Sequence, residues 1–166
     1  MMEEGIDGFP EEILIVDDMN ENLNLLDRIL SKAGYRVRSA TDGQLAIRSV
    51  IARAPALILL DVMMPEMDGY EVCRWLKEDK RTGSIPIIFI SALEDEREKV
   101  RGFKAGGVDY INKPFHSNEV LARVETHLAL RRAHLELERK NAELSTARDS
   151  LEERVRERTA ELAEAN

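Results

Sequence analysis

The sequence predicts an α/β fold in which five parallel strands are wound with helices on both faces, followed by one long C-terminal helix. Three observations predict it. Short apolar runs alternate with amphipathic stretches five times up to about residue 130. The runs are apolar along nearly their whole length, as expected of strands covered on both faces rather than one. Beyond Arg131, glycine, proline and aromatic residues vanish while leucine recurs every seven residues.

The elements follow in order. Ile13 to Val16 is rich in β-branched residues and ends at Asp17 and Asp18. Leu23, Leu26, Leu30 and Ala33 recur at helical spacing, and Gly34 is a plausible stop. Tyr35 to Ala40 alternates apolar residues with arginine as a second strand. Thr41 or Asp42 could cap a helix reaching Ala54, with Pro55 beyond it. Ala56 to Leu60 is a third apolar run ending at Asp61, and Val72, Cys73 and Leu76 mark a third helix. Ile85 to Ile90 is a fourth strand ending at Ser91. Val100 and Phe103 lie on a fourth helix closed by Gly106 and Gly107. Val108 to Ile111 is a fifth strand ending near Lys113 and Pro114, and a helix begins around Ser117. The expected organisation is a tail over 1–10, a globular domain over 11–130 and a coiled-coil helix over 131–166.

Composition narrows the function. The chain holds 24 Lys and Arg against 32 Asp and Glu, a net charge of −8, which argues against direct nucleic-acid binding by this segment. Most of the acidic excess lies before residue 116, where part of it can serve a cation. The single cysteine, Cys73, fits a reducing compartment. The acidic N-terminus lacks the apolar stretch of a signal peptide. No apolar run approaches the roughly 20 residues that span a bilayer. The expectation is a cytoplasmic protein without a membrane partner.

Parallel α/β sheets place their crevice beyond the carboxyl ends of the strands. Asp17, Asp18, Asp61, Ser91 and Lys113 each end or follow a strand, so the topology gathers them although they span nearly a hundred positions. Three carboxylates placed together repel and need a cation or raised pKa values. An oxygen-rich set of this kind suits Mg²⁺, with Mn²⁺ as a substitute. A carboxylate is also a competent nucleophile toward phosphorus, while a cation and a lysine supply the charge neutralisation that phosphoryl transfer needs. Each residue has a duller reading. Asp17, Asp18 and Asn20 could cap the first helix, Ser91 could cap the fourth with Glu94 as its capping-box partner, and Lys113-Pro114 could be an ordinary turn, with or without a cis bond.

ILIVDD at 13–18, LILLDVMMPEMDGYE at 57–71, PIIFISA at 86–92 and DYINKPF at 109–115, in that order and spacing, resemble the response-regulator receiver family of two-component signalling. The resemblance covers roughly Glu11 to Arg131. It implies a flavodoxin-like sheet and a regulatory phospho-acceptor without a separate catalytic domain. Asp61 would take the phosphoryl group from a histidine kinase or a histidine phosphotransfer protein. Asp18 would bind Mg²⁺ directly with Asp61 and the Met63 carbonyl, and Asp17 mainly through water. Ser91, the Ala92 backbone and Lys113 would contact the phosphoryl oxygens, and Tyr110 would follow Ser91 as the aromatic switch. Met63 and Leu93, both apolar, would flank the path of hydrolytic water and favour a long-lived phosphoryl group. A phosphohydrolase similar to the haloacid dehalogenase group fits poorly, because Asp17 and Asp18 are adjacent rather than separated by one residue.

The tail carries Leu130, Leu137, Leu144 and Leu151 at seven-residue spacing, with His134, Asn141, Arg148, Val155 and Leu162 at the complementary position. A second ladder, Leu121, Leu128 and Leu135, has its first members facing the sheet. LEERVRERTAEL at 151–162 is similar to signalling coils that join output domains. We expect a homodimer through this helix, relaying the phosphorylation state to an output domain beyond residue 166.

Overall fold

A computed structural model of the chain describes residues 10–92 and 94–165. The expected tail lies outside them except for Pro10, and so does Leu93. Ten elements alternate: β1 (Glu12–Val16), α1 (Asn20–Lys32), β2 (Arg36–Ala40), α2 (Gly43–Ala52), β3 (Leu57–Asp61), α3 (Gly69–Glu78), β4 (Ile87–Ser91), α4 (Glu96–Ala105), β5 (Asp109–Asn112) and α5 (Ser117–Ala165). All strand pairs are parallel, in the order β2-β1-β3-β4-β5.

The period of two along each strand divides the core. Leu14 and Val16, Ile58 and Leu60, Ile87 and Phe89 face one layer, formed with α2, α3 and α4 through residues such as Val50, Val72, Leu76 and Ala105. Ile13 and Ile15, Leu57 and Leu59, Ile88 and Ile90 face the other, formed with Leu23, Leu26 and Leu30 of α1 and Val120, Val124 and Leu128 of α5. Burying each of these aliphatic side chains is worth about 1.5–3 kcal/mol. That accounts for β1, β3 and β4, whose residues are buried from end to end. Edge strand β2 is partly exposed, and its arginines are the sequence trace of that position.

Local chemistry sets the helix ends. Asp42 caps α2 by accepting the Leu45 amide. Asp68 caps α3 and exchanges bonds with Glu71 in a capping box. The cap of α4 is Asp95, not Ser91, because β4 continues through Ser91 in register with Asn112 of β5. Helix α2 stops at Ala52, two residues before the expected end, as Arg53 turns extended and pairs with Glu12. Val100 and Phe103 lie on α4 as expected but half-exposed; its buried residues are Gly102 and Ala105.

The chain divides into two units, Met1–Leu128 and Ala129–Asn166. The second is helical through Ala165. Its ladder residues Leu130, Leu137, Leu144, Leu151, Val155 and Leu162 are each more than half exposed, and Asn141 is exposed. Ion pairs such as Arg139 with Glu136 and Glu143 run along the helix. Among the described residues no helix is long and apolar enough to cross a membrane.

Candidate phospho-acceptor site

Strand order reverses at β1, with β2 on one side and β3 on the other. Such a switch point opens a crevice at the carboxyl ends of the strands. Asp17 and Asp18 follow β1, and Asp61 is the last residue of β3. The structure brings carboxylate oxygens of Asp17, Asp18 and Asp61 within 4.8 Å of one another. From β5's end, the Lys113 Nζ reaches both Asp17 Oδ2 and Asp61 Oδ1, at 3.2 Å each. The Lys113-Pro114 peptide is cis.

Asp17 is 1% exposed and surrounded by donors. Its Oδ1 accepts the Met19 amide at 2.9 Å, and its Oδ2 accepts the Asn22 side-chain amide at 3.1 Å as well as Lys113. The N-cap of α1 is Met19, with no side-chain cap, so neither Asp18 nor Asn20 has the capping role of the duller reading. Asp18 is exposed. It is the one carboxylate of the three open to solvent.

Asp61 is buried. Burial, reinforced by the Asp17 carboxylate, pushes its carboxyl up to about 6, against the opposing pull of Lys113 and a backbone hydrogen bond from Met63. Burial would lower the Lys113 ammonium, but Asp61 and Asp17 more than offset it and raise its pKa. Three carboxylates against one ammonium leave excess negative charge around an exposed oxygen ligand. That donor set fits a hard divalent cation.

Gly69 belongs to the site by what it lacks. A Cβ there would overlap the Asp61 carbonyl oxygen, and the Gly69 amide donates to the Val62 carbonyl at 2.9 Å. The start of α3 therefore packs directly behind Asp61. Within the same turn, Glu66 adopts a left-handed φ of 69°, a conformation that costs a non-glycine residue about 1–2 kcal/mol. Met63 is exposed at the rim. A cleft of about 830 Å³ opens beside it, with Asp18, Met64 and Tyr70 in its walls.

Ser91 is fully buried at the end of β4, and its carbonyl accepts the Lys113 amide at 2.9 Å. Ala92 follows in an exposed bend. Tyr110 points into the protein, 7% exposed. Its hydroxyl lies 2.8 Å from the Tyr70 hydroxyl and donates to the Glu98 carbonyl at 2.8 Å. Burial, with Tyr70 and Glu98 beside it, pushes the Tyr110 phenol up. Asn22 and Tyr70 carry no mark in the sequence, because their bonds form only when the fold delivers their partners.

A family model described as the response regulator receiver domain matches residues 13–125. The chain is 41% identical over 121 residues to the transcriptional regulatory protein GltR of Pseudomonas aeruginosa, covering 73% of this chain and 49% of GltR. It is 41% identical over 114 residues to the response regulator PleD of Caulobacter vibrioides, covering 69% of this chain and 25% of PleD. The chain thus spans half or less of the length of these relatives. Among solved structures, the signal receiver domain of a signal transduction histidine kinase from Syntrophus aciditrophicus superposes with a TM-score of 0.67 at 39% identity. That match covers 72% of this chain and 90% of the other.

Proposed function

The chain belongs to the response regulator receiver family, and on that premise we propose that Asp61 accepts a phosphoryl group from a histidine kinase or histidine phosphotransfer protein. The family is regulatory rather than a class of separate catalytic enzymes. The observation that carries the assignment is the Lys113 ammonium held 3.2 Å from Asp61 Oδ1 and from Asp17 Oδ2. One cation already sits where the oxygens of an incoming phosphoryl group need one.

In the transfer, an Asp61 carboxylate oxygen attacks phosphorus. The bond between phosphorus and the donor's imidazole nitrogen breaks, and its electron pair returns to that nitrogen. Mg²⁺ (or Mn²⁺) supplies charge neutralisation for the phosphoryl oxygens when bound. Asp18, Asp61 and the Met63 carbonyl would hold it, with Asp17 acting through water. Lys113, the Ser91 hydroxyl and the Ala92 amide contact the phosphoryl oxygens, and Tyr110, which already points inward, follows Ser91 as the switch when that hydroxyl is drawn toward Asp61. The exposed ladder of the second unit is the surface through which two copies pair, relaying the state to an output domain.

The test is labelling with radioactive acetyl phosphate, with and without Mg²⁺. Labelling should need the cation, resist acid and be released by hydroxylamine. Asp61→Asn removes the nucleophile at nearly constant shape and should abolish it; undiminished labelling of that variant would remove Asp61 from the role.

A further inference from the structure

The Asp17 carboxylate has three donors, and they are not equivalent. The Met19 amide on Oδ1 and the Asn22 side-chain amide on Oδ2 both come from the start of α1 and carry no charge. Lys113 also reaches Oδ2, from the far end of β5, and divides itself between Asp17 and Asp61. Asp17 is almost fully buried, so an oxygen there that loses a hydrogen-bond donor carries a desolvation cost. If Lys113 were the sole donor to Oδ2, moving it toward a phosphoryl group would strand that oxygen. Asn22 is placed so that it does not.

We infer that Asn22 is a positioning residue for phosphoryl transfer: its amide holds the Asp17 carboxylate in place, so that Lys113 can leave Asp17 for the group arriving on Asp61. This rests on the phospho-acceptor reading above. The Asn22 side-chain amide bonds to Asp17, not to Asp61 or Lys113. It acts through Asp17, in the way that outer partners of metal-ligating side chains fix ligand orientation. Losing such a partner costs about 10- to 100-fold in metal affinity or activity.

The experiment compares Asn22→Leu, which removes the donor at similar size, with Asn22→Gln, which keeps an amide donor on a side chain one methylene longer at a half-buried position. Mn²⁺ binding is measured directly by electron paramagnetic resonance, and acetyl-phosphate labelling is followed at saturating Mg²⁺. We expect Asn22→Leu to weaken Mn²⁺ binding and slow labelling, each within that 10- to 100-fold range, and Asn22→Gln to recover most of both. Folded Asn22→Leu protein that binds Mn²⁺ and labels like the parent would overturn the inference, as would equal losses in both variants. Failure of the parent itself to label would instead sink the phospho-acceptor reading. Should Asn22→Leu not fold, the side-chain amide protons of Asn22 in the unaltered protein decide. Slow exchange with solvent, persisting when beryllofluoride and Mg²⁺ are added, supports the role, and free exchange in either state overturns it.

Discussion

Asp61 sits in an environment that opposes its own charge, and the consequence is measurable. An unfolded aspartate titrates near 3.8, whereas the folded carboxyl is raised to about 6, first by burial and then by Asp17. Between those values the folded chain binds the proton more tightly than the unfolded one. Stability from this group therefore falls as pH rises through the window, and the cost is fully present above about 6. At roughly 1.36 kcal/mol per pH unit the cost is at most about 3 kcal/mol. We predict that Asp61→Asn is more stable than the parent at pH 8 without divalent cation, by less than that bound because Lys113 loses a partner. The gap should shrink by pH 4. Urea denaturation of both proteins at the two pH values checks it, and a parent more stable at pH 8 would contradict it. At this scale the sequence was legible where a residue ends an apolar strand: Asp17, Asp61, Ser91 and Lys113 all declare themselves so. Asn22 does not, because polar residues in a first helical turn are commonplace and only the crevice gives its amide a target. Tyr70 looks like any aromatic after a helix start. Its partner Tyr110 lies 40 residues away.

Element boundaries were legible where local chemistry decides and obscure where tertiary contacts do. Asp42 caps α2 as one of the two residues expected there, and Asp42→Ala should cost about 1 kcal/mol in thermal or chemical denaturation. Helix α2 ends two residues short of the expected Ala54 because Arg53 leaves the helix to meet Glu12, a partner 41 residues away. Helix α4 is the instructive element. Its apolar residues Val100 and Phe103 are half-exposed, whereas Gly102 and Ala105 turn inward. A Cβ at Gly102 would overlap the Tyr110 hydroxyl, so this one missing side chain makes room for the tyrosine against Tyr70 and the Glu98 carbonyl. We predict that Gly102→Ala destabilises the first unit by about 1–3 kcal/mol through overpacking. Adding Tyr110→Phe should restore part of the loss by removing the overlapping oxygen. Thermal denaturation of the single and double variants checks this. Additive losses would place the strain elsewhere on α4.

For the whole molecule, the second unit presents what the first conceals: apolar side chains in water. Leu130, Leu137, Leu144, Leu151, Val155 and Leu162 are each more than half exposed along one heptad seam. A single helix in water gains nothing from such a stripe, whereas a second copy buries every member twice by symmetry. At about 1.5–3 kcal/mol per buried aliphatic side chain, one seam leucine matters to a dimer out of proportion to its size. We predict that the chain is a dimer by sedimentation equilibrium, and that Leu137→Asp with Leu151→Asp makes it a monomer without altering labelling by acetyl phosphate. A monomeric parent would leave the helix a spacer. Asn141 supplies the finer test. As an exposed polar residue on the same seam, it costs a coil some stability and in return restricts its register and number of strands. Asn141→Leu should therefore tighten association while admitting species larger than a dimer. Light scattering reads both effects, and a variant that remains purely dimeric with unchanged affinity would show that residue 141 does not lie in the seam.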